Sequence, residues 1–337
     1  MKRKIAVSSA LALVVSLSAF ALTSAVSTGA LSATSRQQTQ AAQAHRLFVK
    51  YLSSHATMFR ATGPAATLSP GSPESEIGSY NWSGMADVQT GSTPLSSVSG
   101  HWTIPSVSCL NGQYRNQDAF LAQWVGLDGF SSDTVEQLGT ATQCYEGVEY
   151  YYDWYEMFPN GTVEEGTTQC INNNVDCPQP GDQIQASVTT TPGTGGNDNY
   201  VLALTDSTRP NESFSVSATC PSDECLNSSA EWTVERPAFE LPFGFQILPQ
   251  ADYGQTSFSN ATVSAGGRTT SIENYAGSVY DIAMIDDSAS YILSCPGQFG
   301  PPGQLLLLPI PPATLPNPCP LARLFLGSFN DTWDGSF

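Results

Sequence analysis

From Ser79 onward the chain is written in short runs of Val, Ile, Thr, Tyr, Phe and Trp cut by clusters of Gly, Pro, Asn and Asp, and this punctuation limits what it can fold into. Val98 to Ile104, Gln123 to Leu127, Val148 to Phe158, Gln183 to Thr190, Tyr200 to Leu204, Ala230 to Glu235, Val279 to Ile285 and Tyr291 to Cys295 each have strand length and strand composition. No convincing helix lies among them. Roughly 220 residues in this pattern predict an all-β fold: a single large antiparallel β-sandwich of two packed, curved sheets, with core enough to fold alone. The tail, 296 to 337, changes character, with nine prolines and the run LLLLPIPP; its fold stays open at this point.

Charge divides the chain into two parts. Residues 1 to 73 carry seven Lys/Arg and no acid, while residues 74 to 337 carry thirty acids and five Arg, giving +7 and −25 of the total −18. In strong acid the carboxylates of such a body protonate and its charge shrinks to a few positive units. An ordinary domain would gather many positive charges and repel itself apart. The body is therefore expected to work in acid.

Lys2, Arg3 and Lys4 precede an apolar run from Ile5 to about Ala21 and a small-residue stretch ending at Ala25, so residues 1 to 25 read as a secretion signal. Residues 26 to 73 read as a basic pro-segment. Within it, Leu47, Phe48, Tyr51 and Leu52 fall at helical spacing among Arg46, Lys50 and Arg60, predicting one basic amphipathic helix between Gln37 and Arg60. Opposite charge suggests that this helix lies over an acidic cleft, facing carboxylates such as Glu156 and Glu235; a solvated linker is the plainer reading. Residues 74 to 295 would be the sandwich and 296 to 337 a proline-rich extension. Eight cysteines in an exported chain fit four disulfides, expected as Cys170 with Cys177, Cys220 with Cys225, Cys109 with Cys144 and Cys295 with Cys319, although sequence alone does not fix connectivity.

Several chemistries are excluded by what the body lacks. Its one histidine is His101, in the strand-like SGHWTIP, where packing is a better reading than catalysis, and there is no GxSxG turn, no HExxH and no pair of Asp-Thr/Ser-Gly turns. Acid chemistry must then rest on other carboxylates. Strand alternation places Tyr152, Trp154, Glu156 and Phe158 on one face of YYDWYEMF, and Glu231, Thr233 and Glu235 on one face of AEWTVERP. A Glu beside Trp on an apolar face has its pKa raised by burial, toward a range in which it can act as base or acid.

The ordered set NWSG (81 to 84), VSGHWTIPSV (98 to 107), QWVGLDG (123 to 129), VEQLGT (135 to 140), YYDWYEMFP (151 to 159), GDQIQASV (181 to 188) and AEWTVERP (230 to 237) resembles the glutamic peptidases, or eqolisins. The resemblance implies a sandwich with a substrate cleft on its concave face and a catalytic dyad of Gln137 and Glu235. It also implies Trp124, Asp128, Trp154 and Glu156 in or under that cleft as substrate platforms and supports; Asp128, in Leu-Asp-Gly, reads equally well as a turn residue. Ala141 departs from the fungal pattern, which carries an Asp there, and YYDWYEM departs from YDAWYEW. On this reading the protein is a secreted, metal-independent, pepstatin-insensitive acid endopeptidase that needs no cofactor and acts on polypeptides. It is expected as a monomer without nucleic-acid partners or stable membrane association. The alternative is a secreted glycoside hydrolase or carbohydrate-binding protein. Against it, Glu231 and Glu235 lie about 13 Å apart along a strand, far from the roughly 5 Å of a retaining pair unless the side chains lean together.

Overall fold

Eighteen strands and one 3-10 turn make up nearly all the regular structure among the described residues. In this computed structural model those residues are 39–40, 42–47, 75–109, 119–130, 132–165, 177–241, 244–272, 277–285, 292–297 and 329–333. The strands are β1 (Ser75–Ser79), β2 (Trp82–Val88), β3 (Leu95–Thr103), β4 (Ala119–Asp128), β5 (Val135–Tyr145), β6 (Val148–Phe158), β7 (Thr162–Glu165), β8 (Gln183–Pro192) and β9 (Asn197–Asp206). They continue as β10 (Phe214–Pro221), β11 (Ser229–Glu235), β12 (Ala238–Leu241), β13 (Gly244–Ile247), β14 (Gln255–Ala265), β15 (Arg268–Ser271), β16 (Ser278–Ile285), β17 (Ile292–Gly297) and β18 (Phe329–Trp333). The expected all-β sandwich is the observed fold.

The larger sheet runs β18-β17-β16-β2-β11-β4-β5-β6-β7 and the smaller β10-β9-β8-β3-β14, with β15 beside β14 and a separate β12-β13 hairpin. All pairings are antiparallel except β1 with β16. β14 belongs to both sheets: Gln255 to Phe258 pair with β18, and Ser259 to Ala265 pair with β3. The register slips between Ser259 and Thr262, where Asn260 has φ of 50°. This bulge bends the strand from one layer into the other.

The two sheets differ in how they meet water. β8 alternates buried and exposed residues and β10 half-buried and exposed ones, so the smaller sheet is solvated outside. β4 and β11 are buried at every position. Between the layers pack Val125, Leu138, Trp232 and Val234 from the larger sheet against Val98, Trp102, Val188 and Leu202 from the smaller. The outer face of the larger sheet holds a second apolar cluster, built on Trp82, Phe120, Trp124, Tyr152 and Trp154. A sheet covered on both sides needs something over its outer face, and that face carries the site.

The sheet extends past residue 295, where the sequence reading ended the sandwich. Phe329 stacks on Phe258 with ring centroids 5.1 Å apart, and β18 fits between β14 and β17. Its Asp331 is fully buried and accepts hydroxyl hydrogen bonds from Ser83 (2.6 Å), Tyr253 and Ser294 (3.1 Å). The disulfides Cys109–Cys144 and Cys220–Cys225 are both formed, with Cα–Cα separations of 5.4 and 6.1 Å. Cys177 is disulfide-bonded too; Cys170, Cys319 and the Cys295 side chain lie outside the described residues, as do the expected signal and most of the expected pro-segment.

Buried carboxyls without cations dominate the interior. Burial pushes Asp87 up to about 8 and Asp331 to about 6. Glu136, Asp153 and Glu231 are raised well above the ordinary carboxyl range, again by burial first. A carboxyl whose folded pKa exceeds its unfolded value stabilises the fold below the unfolded pKa, and that stability is lost as pH rises through the folded pKa. The urea midpoint should therefore fall between about pH 4 and pH 8. Neither Asp87 oxygen has a hydrogen-bond partner among the described residues. Asp87→Asn should accordingly reduce the proton uptake linked to folding by up to about one proton, read as a shallower plot of unfolding free energy against pH.

Candidate active site

Cross-strand register assembles the outer face row by row. One row runs Thr233, Trp124, Gly139, Trp154, Glu164 across β11, β4, β5, β6 and β7. On one side of it lies Glu231, Gly126, Gln137, Glu156, Thr162, and on the other Glu235, Ala122, Ala141, Tyr152. The alternation read from YYDWYEMF and AEWTVERP is thus the alternation observed. Gln137, Glu235, Trp124, Trp154 and Glu156 all fall on this face.

The glycines in QWVGLDG and VEQLGT make room for an indole. A Cβ on Gly139 would sit 2.1 Å from the Gln123 carbonyl oxygen and 2.7 Å from Trp124 Cβ, and one on Gly126 would come within 3.0 Å of the Trp124 ring. Trp124 therefore lies across the face between them, fully buried and edge-on to Trp82 at a centroid distance of 5.0 Å. From there its Nε1 donates to Glu235 Oε2 at 2.9 Å, while Asn81 Nδ2 donates to Glu235 Oε1 at 3.3 Å. Gln137 Nε2 donates to Glu156 Oε2 at 2.7 Å, joining β5 to β6.

Burial raises both carboxyls. Glu235 is pushed up to about 8, with the Trp124 indole pulling it back and the Glu156 charge adding to the rise. Glu156 goes to about 7, and its hydrogen bonds from Gln137 and Thr162 oppose that. Glu231 has different neighbours: Ser229, Asp128, Glu136 and the Phe130 backbone surround it. Asp128 is engaged as a turn residue. At φ of 67° it accepts from the Asn227 and Ser228 backbone N–H groups (2.6 and 2.7 Å) and from Ser228 Oγ (2.8 Å), fixing the loop that enters β11. His101 stands on the smaller sheet, its Nδ1 3.3 Å from Asn260 Nδ2. Among the described residues one group of metal-donor side chains comes together, Glu136 with Cys220 and Cys225, and a disulfide ties up both of its sulfurs.

Part of the basic segment reaches the site. Residues 39–40 and 42–47 are helical, Ala44 is fully buried in the cluster of Trp82, Trp124, Tyr152 and Trp154, and His45 Nε2 bonds Glu164 Oε2 on β7. The His45 ring lies 6.2 Å from that of Tyr152, and the Glu164 bond raises its pKa against the effect of burial. The sequence reading missed this contact: it assigned the attraction to Arg46, which is exposed, and to Glu156 and Glu235, which burial favours as neutral acids. Lys50 and Arg60 lie outside the described residues. The role of Asn81 also went unread, although NWSG was a recognised block.

The profile of the Peptidase A4 family matches residues 80–295, most of the chain. The chain belongs to the peptidase A4 family. Aspergillopepsin-2 of Aspergillus niger is 29% identical over 206 residues, covering 57% of this chain and 66% of its own length, so the chain spans just under two thirds of that relative. A similar fold is seen in the crystal structure of scytalido-glutamic peptidase with a transition state analog inhibitor, at 19% identity and a TM-score of 0.51 over 75% of this chain and 98% of that one. SCP-B, a member of the eqolisin family of peptidases in complex with the tripeptide Ala-Ile-His, matches at 19% identity and a TM-score of 0.47, over 75% and 98% of the two chains. Gly139→Ala should test the packing of the A4 site in this chain. The added methyl must displace the Gln123 carbonyl and the Trp124 Cα and Cβ, which belong to β4, so thermal or urea denaturation should show a loss of about 1 to 3 kcal/mol or more.

Proposed function

We propose that this protein is a secreted acid endopeptidase that hydrolyses polypeptides with Glu235 as base and Gln137 as oxyanion donor. The observation that carries this reading is the outer-face arrangement of Gln137 on Glu156 and Glu235 under Trp124 in a chain of the A4 family. Glu235, ionised, takes a proton from water as the water oxygen attacks the scissile carbonyl carbon. The carbonyl oxygen becomes an oxyanion, the proton passes to the leaving nitrogen, and the C–N bond breaks to give an acid and an amine. An amide NH2 has two donors, neither of which titrates. Gln137, oriented by its hydrogen bond to Glu156, serves the oxyanion through its amide N–H. Trp124 and Trp154 provide the substrate platform, and Glu156 orients Gln137. No metal or cofactor takes part. The protein acts as a monomer, and no described helix is long and apolar enough to cross a membrane.

Glu231 and Glu235 keep separate neighbours, which speaks against a glycosidase pair. Purified protein incubated with unfolded casein from pH 2 to 7 should release peptides in acid despite pepstatin and a chelator; glucan hydrolysis instead would overturn the reading. Glu235→Gln and Gln137→Ala should each reduce turnover by at least about 100-fold with circular dichroism unchanged. A dead Glu231→Gln beside an active Glu235→Gln would move the base to the row of Gln137.

The pro-segment reading is supported by Ala44 among the site's aromatic rings. While the helix covers the face, Glu235 holds its proton through the acid range, so the precursor lacks both access and base. Lifting the helix readmits water beside Trp124 and lowers the Glu235 pKa toward working acidity. The bond from His45 to Glu164 ties the helix to β7 beside the face. N-terminal sequencing after a shift from pH 7 to pH 3 should find the segment removed, and a synthetic 37–60 peptide should inhibit the processed enzyme. Persistence of a full-length, fully active precursor would make the segment a linker.

A further inference from the structure

The turn between β1 and β2 contributes a side chain to the site that its strands do not. Cross-strand register ends with Glu235 opposite Trp82, so the residue before Trp82, Asn81, stands beside the Glu235 carboxyl at the mouth of the β2–β11 pair. Asn81 is 2% exposed, and its amide is oriented. The Ser79 hydroxyl donates to Asn81 Oδ1 at 3.2 Å, which leaves Nδ2 directed to Glu235 Oε1 at 3.3 Å. Ser79 Oγ in turn accepts the Asn81 and Trp82 backbone N–H groups at 3.4 and 3.1 Å, closing the turn on itself. Arg236, the residue after Glu235, locks the other side: its backbone N–H donates to the Asn81 carbonyl at 3.0 Å and its Nε to the Tyr80 carbonyl at 2.6 Å. Both of these contacts come from the residue next to Glu235, so they tie the turn to the end of β11.

Building on Glu235 as the base, we propose that Asn81 is a positioning residue for it: the amide fixes one carboxylate oxygen through Nδ2 while the Trp124 indole fixes the other. The groups facing Glu235 are the Glu156 carboxyl from β6, the Trp124 indole from β4, and the Trp82 and Asn81 N–H groups from β2 and its turn. Burial raises the Glu235 pKa most and Glu156 adds to it, while the Trp124, Trp82 and Asn81 donors act in the opposite sense. An N–H donor stabilises a carboxylate over the acid, so removing one raises the pKa of the base. Activity that needs the ionised base then fails at a higher pH.

The test is kcat and KM against pH for the acid-processed enzyme and its Asn81→Ala and Asn81→Asp variants, with Ser83→Ala as a control. Ser83 bonds Asp331 and touches neither catalytic group. Asn81→Ala should move the acid limb of kcat up by about one pH unit, a roughly tenfold loss at a fixed pH below the limb, with KM within about twofold. Asn81→Asp, which keeps the size of the side chain, should move the limb further up, because it replaces a donor by a second carboxyl. The same displacement should appear in the Glu235 carboxyl titration followed by carbon-13 NMR, a readout that does not depend on turnover. Ser83→Ala should lower the melting temperature and leave the limb in place. An unmoved limb and titration in both Asn81 variants, with Glu235→Gln inactive, would overturn the positioning role alone. An active Glu235→Gln would instead overturn the base assignment on which it rests.

Discussion

A carboxyl placed where water cannot reach it, with no cation beside it, must hold a proton, and the interior of this protein is built around that constraint. The body has five Arg for thirty acids, and among the described residues Arg209 pairs with Asp182 and His45 with Glu164. Asp87, Glu136, Asp153, Glu231 and Asp331 are each nearly or fully buried on strands or strand ends. As neutral acids they cost far less to bury than as anions. The sandwich is consequently a structure whose polar interior is assembled from protons and hydroxyls in place of ion pairs. Acid is the condition in which its interior is electrically quiet.

The same constraint gives the outer face its chemistry. Glu235 and Glu156 share the burial of the structural carboxyls, but hydrogen-bond donors from Trp124, Asn81 and Gln137 approach their oxygens. Ala141 adds a second effect. Where the fungal pattern of the resembling family has a carboxylate, this chain places a methyl group in the row of Tyr152, inside the cluster that buries Ala44. An apolar seat replaces a charge, and a small helical residue can settle on it without desolvating an anion.

Much of the fold was legible because strand punctuation is local. β6, β8 and β11 announce themselves through aromatic and β-branched content, and alternation correctly divided YYDWYEMF and AEWTVERP between the two faces. β5 and β14 carry weaker signals. VEQLGTATQCY is buried on both faces yet half polar, because its side chains meet other polar groups on the site face and Trp102 Nε1 finds Thr140 Oγ1 at 3.0 Å on the core face. The β18 segment was hidden by the prolines that precede it. Gln137 and Glu235 were legible through motif order; Asn81 and Glu164 were not, because their importance comes from what the register and the turn set beside them. His45 was passed over for its more strongly charged neighbours, although the helix turns it inward and leaves Arg46 outside.

The position of β18 sets when this edge of the sandwich can close. Its five residues lie between β17 and β14, and β14 is the strand that carries the chain from one layer to the other. A nascent chain that has emerged only as far as β17 owns both halves of the sandwich but lacks the strip that stitches them together along this edge. Closure of this edge waits on a contact between residues near 258 and residues near 329, far apart in the chain.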